Sequence, residues 1–240
     1  MIVRENRSLN LTKITIGRFW NANDVLDNLD TLCPKLINLV LPNVTLDQCL
    51  KLKSLSNLQN LIHLHIGQAK FDRLIPALTD FGPKLKTLTF SNFVDTVDLA
   101  QICKFCPNLE SLGINAGHLI LDSDQKIPKN LSEIKFNVHA NIASTVWTKI
   151  FCEALRLTYI DITPAEDMTD ENFHSLICQN PKIFQNLRSF IVRGRHRGGD
   201  VAMTEKSINA LISKSPHIKC IGDCSTWSLS TNSTEYIYFH

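Results

Sequence analysis

A six-residue pattern, apolar-x-x-apolar-x-apolar, recurs nine times along the chain, beginning at Leu11, Leu36, Leu61, Leu85, Leu109, Leu131, Leu157, Leu187 and Ile218. Successive starts lie 25, 25, 24, 24, 22, 26, 30 and 31 residues apart, and only the last of the 27 apolar slots, Asp223, is polar. Each unit, such as LINLVL or LIHLHI, ends in the period-two alternation of a strand with one buried face. A self-similar period of this length marks a repeat architecture, in which one strand and its return segment cannot bury an apolar face alone but stacked copies can. The expected fold class is therefore α/β: an open solenoid with about nine parallel strands on its concave face, and helices and irregular segments on its convex face.

Five return segments carry helical periodicity: 24–32, 46–58, 97–105, 170–179 and 204–213. Thr45, Thr96 and Thr169 stand where an N-cap would accept from free backbone amides. Four returns end in a small residue, a proline and a polar residue: CPKL, GPKL, CPNL and SPHI. Proline stops a helix and favours extended chain before it. The stretch 116–130 is too short and irregular for a helix, so an extended return is expected there.

Within each unit the apolar slots face inward and the residues between them face out. This rule makes Asn38, His63, His65, Thr87, Thr89, Glu133, Lys135, Tyr159, Asp161, Ile191 and Arg193 the candidate contacts for a partner on the sheet, with Lys13, Thr15, Val40, Ser111 and Ser189 beside them. The pair His63 and His65 has the look of half a metal site. On this register their neighbours are Asn38, Val40, Thr87 and Thr89, none of them a usual third ligand for zinc, so no metal and no cofactor is expected.

The units resemble leucine-rich repeats, and the CPKLINLVL and CPNLESLGI segments resemble the cysteine-containing subtype of F-box/leucine-rich-repeat proteins. The segment HIKCIGDCSTWS resembles the close of arthropod members of that group. The resemblance covers residues 9 to about 224, which sets the expected organisation: a repeat domain over 1–225 and a tail over 226–240. The second cysteine usual in the subtype is replaced by Asn43, Asn92 or Asn115. The resemblance implies an open horseshoe and substrate recognition for an SCF-type ubiquitin ligase. Only about eight residues precede the first strand, too few for an F-box, so a ligase adaptor is an expected partner only if the chain is part of a longer one.

Composition changes the picture little. With 240 residues, 44% hydrophobic, the chain can bury a large core; a formal charge of +2 asks for neither nucleic acid nor an anionic membrane. No apolar run approaches the length of a membrane span and MIVRENRSLN lacks the features of a signal peptide, so a cytoplasmic or nuclear protein is expected. In that setting the five Asn-x-Ser/Thr sequons and most of the eight cysteines carry no special chemistry. The CKFC stretch at 103–106 has redox spacing, but Cys106 fills a CPxL junction and reads as structural. Asp161, Glu166, Asp167 and Asp170 cluster in sequence, yet no nucleophile elbow, HExxH or phosphate loop accompanies them. The chain reads as a protein-binding scaffold, not an enzyme. The alternative is anionic-ligand or nucleic-acid binding through the basic loop 193–199, RGRHRGG, although no aromatics are interleaved there to stack bases.

Overall fold

The computed structural model describes residues 8–17, 25–121, 124–140, 142–163, 168–193, 201–222, 227–228 and 237–238. Nine strands form where the repeat places them: β1 (Lys13–Thr15), β2 (Asn38–Leu41), β3 (His63–Gly67), β4 (Thr87–Asp98), β5 (Ser111–Ile120), β6 (Glu133–Val138), β7 (Tyr159–Thr163), β8 (Ser189–Val192) and, after a short β9 (Val201–Thr204), β10 (Cys220–Gly222). They lie in one parallel sheet in chain order. Its last member is β12 (Ile237–Tyr238), from the segment expected as a tail, paired with β10. A second pairing joins β9 to β11 (Trp227–Ser228).

Two inner ladders hold the sheet to its return segments. One runs Leu39, Leu64, Leu88, Leu112, Ile134, Ile160, Phe190, the other Leu41, Ile66, Phe90, Ile114, Phe136, Ile162, Val192; every member is buried. Leu88 and Leu112 are direct register partners, as the repeat requires. Burying such side chains from seven successive repeats in one continuous core is what makes individually unstable units stable. The first repeat departs from the rule, because Leu11 is 44% exposed. Among the described residues nothing packs over that flank, so the first apolar slot there stays partly exposed.

The helices are α1 (Leu29–Leu32), α2 (Leu46–Lys51), α3 (Phe71–Phe81), α4 (Leu99–Phe105), α5 (Ser144–Glu153), α6 (Asp170–Gln179) and α7 (Glu205–Lys214). Thr45 caps α2 through a capping box with Gln48, and Thr169 caps α6 by accepting from Asn172 N. Four expectations need correction. The segment 46–58 is α-helical only to Lys51 and continues as 3-10 turns over Leu52–Asn57. The segment 24–32 is helical at 25–26 and again as α1 from Leu29, with a turn at 27–28 between them, and Asp24 lies outside the described residues. Val97 and Thr96 belong to β4, so the cap of α4 is the Asp98 carboxylate, which accepts from Ala100 N at 2.9 Å. Two further helices, α3 and α5, carry returns that were not among the segments singled out by helical periodicity.

The return after β5 has no helix among its described residues, in line with its irregular sequence. β4 and β5 instead run past the repeat's six residues, turning at Asn92 (φ 57°), a residue type that tolerates the left-handed region.

Four of the junctions between repeats are tied. At these the polar residue before the first leucine reaches back one repeat: Asn60 Nδ2 donates to Pro34 O (3.1 Å), Lys84 Nζ to Ser56 O (2.6 Å) and Leu58 O (3.0 Å), Asn108 Nδ2 to Pro83 O (2.7 Å), and Asn186 Nδ2 to Leu155 O (3.1 Å). These bonds satisfy carbonyls that the end of each return leaves open. The residue before the proline must be small. A side chain at Gly82 would meet Phe105 O at 2.6 Å and Cys106 Sγ at 2.8 Å.

Candidate functional site

Alternation sets one row of outward residues over Asn38, His63, Thr87, Ser111, Glu133, Tyr159 and Ser189, and a second over Val40, His65, Thr89, Gly113, Lys135, Asp161 and Ile191. The eleven candidate contacts, Arg193 just past β8 included, all stand on this concave face, half-buried or exposed. A third row, one step further along each strand, was not anticipated apart from Arg193: Ser91, Asn115, Asn137 and Thr163. Its signal was present, since the same period of two reaches it once the strands are allowed to be longer than the motif.

The rows enclose a shallow trough of about 460 Å³ at β4 to β7, with Thr87 and Thr89 on one side and Lys135, Asn137 and Asp161 on the other. Gly113 makes its floor. A Cβ there would come within 3.1 Å of the Thr89 methyl, so the missing side chain opens the space.

The polar groups around it are already arranged by one another. Asp161 Oδ1 takes Arg193 Nη1 at 2.5 Å, the Tyr159 hydroxyl lies 3.4 Å from Asp161 Oδ2, and Lys135 Nζ sits 4.8 Å from the Tyr159 ring centroid. Ser111 Oγ donates to Glu133 Oε2 at 3.2 Å. A surface whose side chains are held before a partner arrives loses less entropy on binding.

His63 Nδ1 lies 2.9 Å from Thr87 Oγ1, and His65 Nε2 lies 2.8 Å from Ser91 Oγ. Burial pushes the His65 imidazole below its ordinary value, so at neutral pH it is a neutral hydrogen-bonding group. Both histidines are therefore engaged by hydroxyls of the next repeat. Among the described residues no cluster of three or more His, Cys, Asp or Glu is placed to hold a metal ion.

The remaining sequence candidates fall outside this face. Asp170 ties the starts of α6 and α7 together, as described below; Glu166 and Asp167 lie outside the described residues, as does loop 194–199. Burial pushes the Cys103 and Cys106 thiols up to about 12, whereas Cys178 is exposed. Since the thiolate is the reactive form, alkylation of the native protein is expected to label Cys178 rapidly and Cys103 and Cys106 only after unfolding, as read by mass spectrometry. Labelling of Cys103 at the rate of Cys178 would contradict the structural role of CKFC.

No protein-family model matches the chain, and no curated protein resembles it significantly. Solved structures do. An internalin from Listeria monocytogenes aligns over 89% of this chain and 62% of its own, with 13% identity and a TM-score of 0.50. The yeast complex of Rad7 and Elc1 aligns over 93% of this chain and 66% of its own, with 14% identity and a TM-score of 0.53. The fold is a leucine-rich-repeat solenoid. The solenoid spans less than two thirds of the length of either solved chain, and at this identity the likeness extends to the fold alone. Among its described residues no helix is long and apolar enough to cross a membrane.

Proposed function

We propose that this solenoid is a binding scaffold that holds another protein on its concave sheet. The observation that carries the reading is the trough over β4 to β7, walled by the polar rows and floored by Gly113. Nine strands about 4.8 Å apart give a face roughly 40 Å long, enough for an interface of standard size. Tyr159 is the residue type that most often dominates interface energetics, and Lys135 braces its ring. One solved solenoid of the same fold, Rad7, is seen in complex with Elc1, and a protein partner is in keeping with that. Substrate recognition for a ubiquitin ligase is a narrower form of the same proposal and requires a ligase adaptor in the complex. The basic-loop alternative gains nothing from Arg193, whose guanidinium is committed to Asp161.

Placing a photo-crosslinking amino acid at Thr87 should trap the partner, which the same group at Gln101 on α4 should not. Arg193 is better left intact in the affinity test, because reversing its charge would set two carboxylates together. Asn137→Trp fills the trough and Tyr159→Ala removes the anchor without touching an inner ladder. The trapped partner is expected to lose at least about 2 kcal/mol of affinity, roughly thirty-fold, for the double variant, while the melting temperature barely moves. Full affinity in the double variant would place the interface elsewhere.

A further inference from the structure

A second surface lies where the strands begin, along the leading edge of the sheet. There, between the fifth and ninth repeats, a recess of about 580 Å³ is bordered by Arg156, Arg188 and His217. All three side chains are exposed. The recess has one acid, Glu110 at its far end, and Lys86 Nζ holds that carboxylate at 2.9 Å. The uncompensated charge is therefore positive. Arg156 Nη1 donates to Asn130 Oδ1 at 3.0 Å, which orients one edge of its guanidinium; Arg188 and His217 have no side-chain hydrogen bond or ion pair among the described residues.

The donors that remain free decide what fits. The strand-start N–H groups of Ser132, Thr158 and Arg188 are spent on the previous repeat, on the carbonyls of Glu110, Ser132 and Thr158 at 2.7 to 2.8 Å. The Ser132 and Thr158 hydroxyls also donate to backbone carbonyls, at 3.0 and 3.1 Å. These strand-start amides are therefore not open to cradle a compact oxyanion such as phosphate. What projects into the recess is a pair of guanidiniums, Arg156 and Arg188, with the His217 imidazole beside them, at the starts of the seventh, eighth and ninth repeats, with strands about 4.8 Å apart. Such a spread suits carboxylates presented along an extended chain, two of them met by separate planar guanidiniums. No Phe, Tyr or Trp lines the recess to stack a base, which disfavours single-stranded nucleic acid.

We infer that this leading-edge recess binds an acidic, extended segment of a partner protein, through Arg156, Arg188 and His217. The site is separate from the concave trough and does not depend on it.

The test uses the whole chain and a short fluorescein-labelled polyglutamate peptide, followed by fluorescence anisotropy at low ionic strength. The peptide is expected to bind, and Arg156→Ala with Arg188→Glu to weaken it at least about ten-fold with an unchanged circular-dichroism spectrum. Lys104→Glu on α4, a remote cation, and the Asn137→Trp, Tyr159→Ala pair on the concave face are each expected to change it less than about two-fold. Failure of the unaltered protein to bind, or an equal loss with Lys104→Glu, would overturn the site. So would displacement by inorganic phosphate at the peptide's own concentration, which points to a simple oxyanion, or tighter binding of a single-stranded oligonucleotide of matched charge. Loss of the peptide in the concave-face pair alone would merge the two surfaces and equally overturn it.

Discussion

Replacing Phe184 by alanine is expected to lower the unfolding free energy by about 3 to 5 kcal/mol. The ring is 3% exposed and is the centre of an aromatic cluster, with centroids 5.2 Å from Phe151, 5.6 Å from Phe173 and 6.0 Å from Phe190. Those partners come from α5, α6 and β8, so one side chain joins three successive repeats. Phe184 also has φ of 62°, a conformation that is rare for a bulky residue and costs on the order of 1 to 3 kcal/mol. Alanine keeps that strain and loses the packing that offsets it. In a chain of this size each kcal/mol lowers the melting temperature by about 2 to 4 °C, so a fall of roughly ten degrees is expected in calorimetry. Limited proteolysis should find the new cleavage sites in repeats six to eight, since neighbouring repeats share one interface at a time. A loss under about 1 kcal/mol would show that the cluster collapses around the cavity.

The second large effect is expected at Asp170, the first residue of α6. Its Oδ1 accepts from Thr204 N at 2.8 Å and its Oδ2 from Thr204 Oγ1 at 2.5 Å, and the buried Ser207 hydroxyl donates to Oδ1 as well. One carboxylate thus ties the start of α6 to the start of α7, and its charge favours the amino end of each helix. Asp170→Ala orphans three donors, one of them buried, at an expected cost of about 2 to 4 kcal/mol.

The same bonds make this contribution depend on pH. Burial alone would raise the Asp170 carboxyl, but hydrogen bonds from Ser207 and Thr204, with Lys206 nearby, outweigh it and hold the pKa below its usual value. The folded state therefore favours the ionised form. The contribution is fully present above the ordinary carboxylate pKa, near 4, and is lost as pH falls through the lowered folded value. Urea titrations of both proteins should show the gap between wild type and Asp170→Ala shrinking on acidification. A gap that stayed constant or widened toward low pH would remove the carboxylate from the explanation.

The strands and their register were legible because the inner ladders leave a signature of their own. Leu64 meets Leu88, and Leu88 meets Leu112, only if turns of nearly equal length stack in parallel, and the spacing of the motif records that. The helices were less legible. In α3, Pro76 reads as a breaker, yet it sits in a helix whose Phe71, Leu74, Leu78 and Phe81 are buried, and that burial outweighs the missing bond. Thr96 looked like a cap because the length of β4 is set by pairing with β5, which no local pattern contains. The outward rows were readable by alternation, whereas their chemistry was not. Asp161 and Arg193 are 32 residues apart, and only the register brings that pair, or Lys86 and Glu110 at the leading edge, into contact.

The junction ties have a bearing on descent. Asn60, Lys84, Asn108 and Asn186 each bond to the repeat directly before them, and each bond ends on a main-chain carbonyl, a group that every amino acid supplies. A gene segment duplicated or excised between two of these junctions therefore brings its connector with it and finds the required acceptor whatever sequence lies upstream. The number of repeats becomes a quantity that recombination can alter in single steps without losing these ties, and with it the length of the face available to partners.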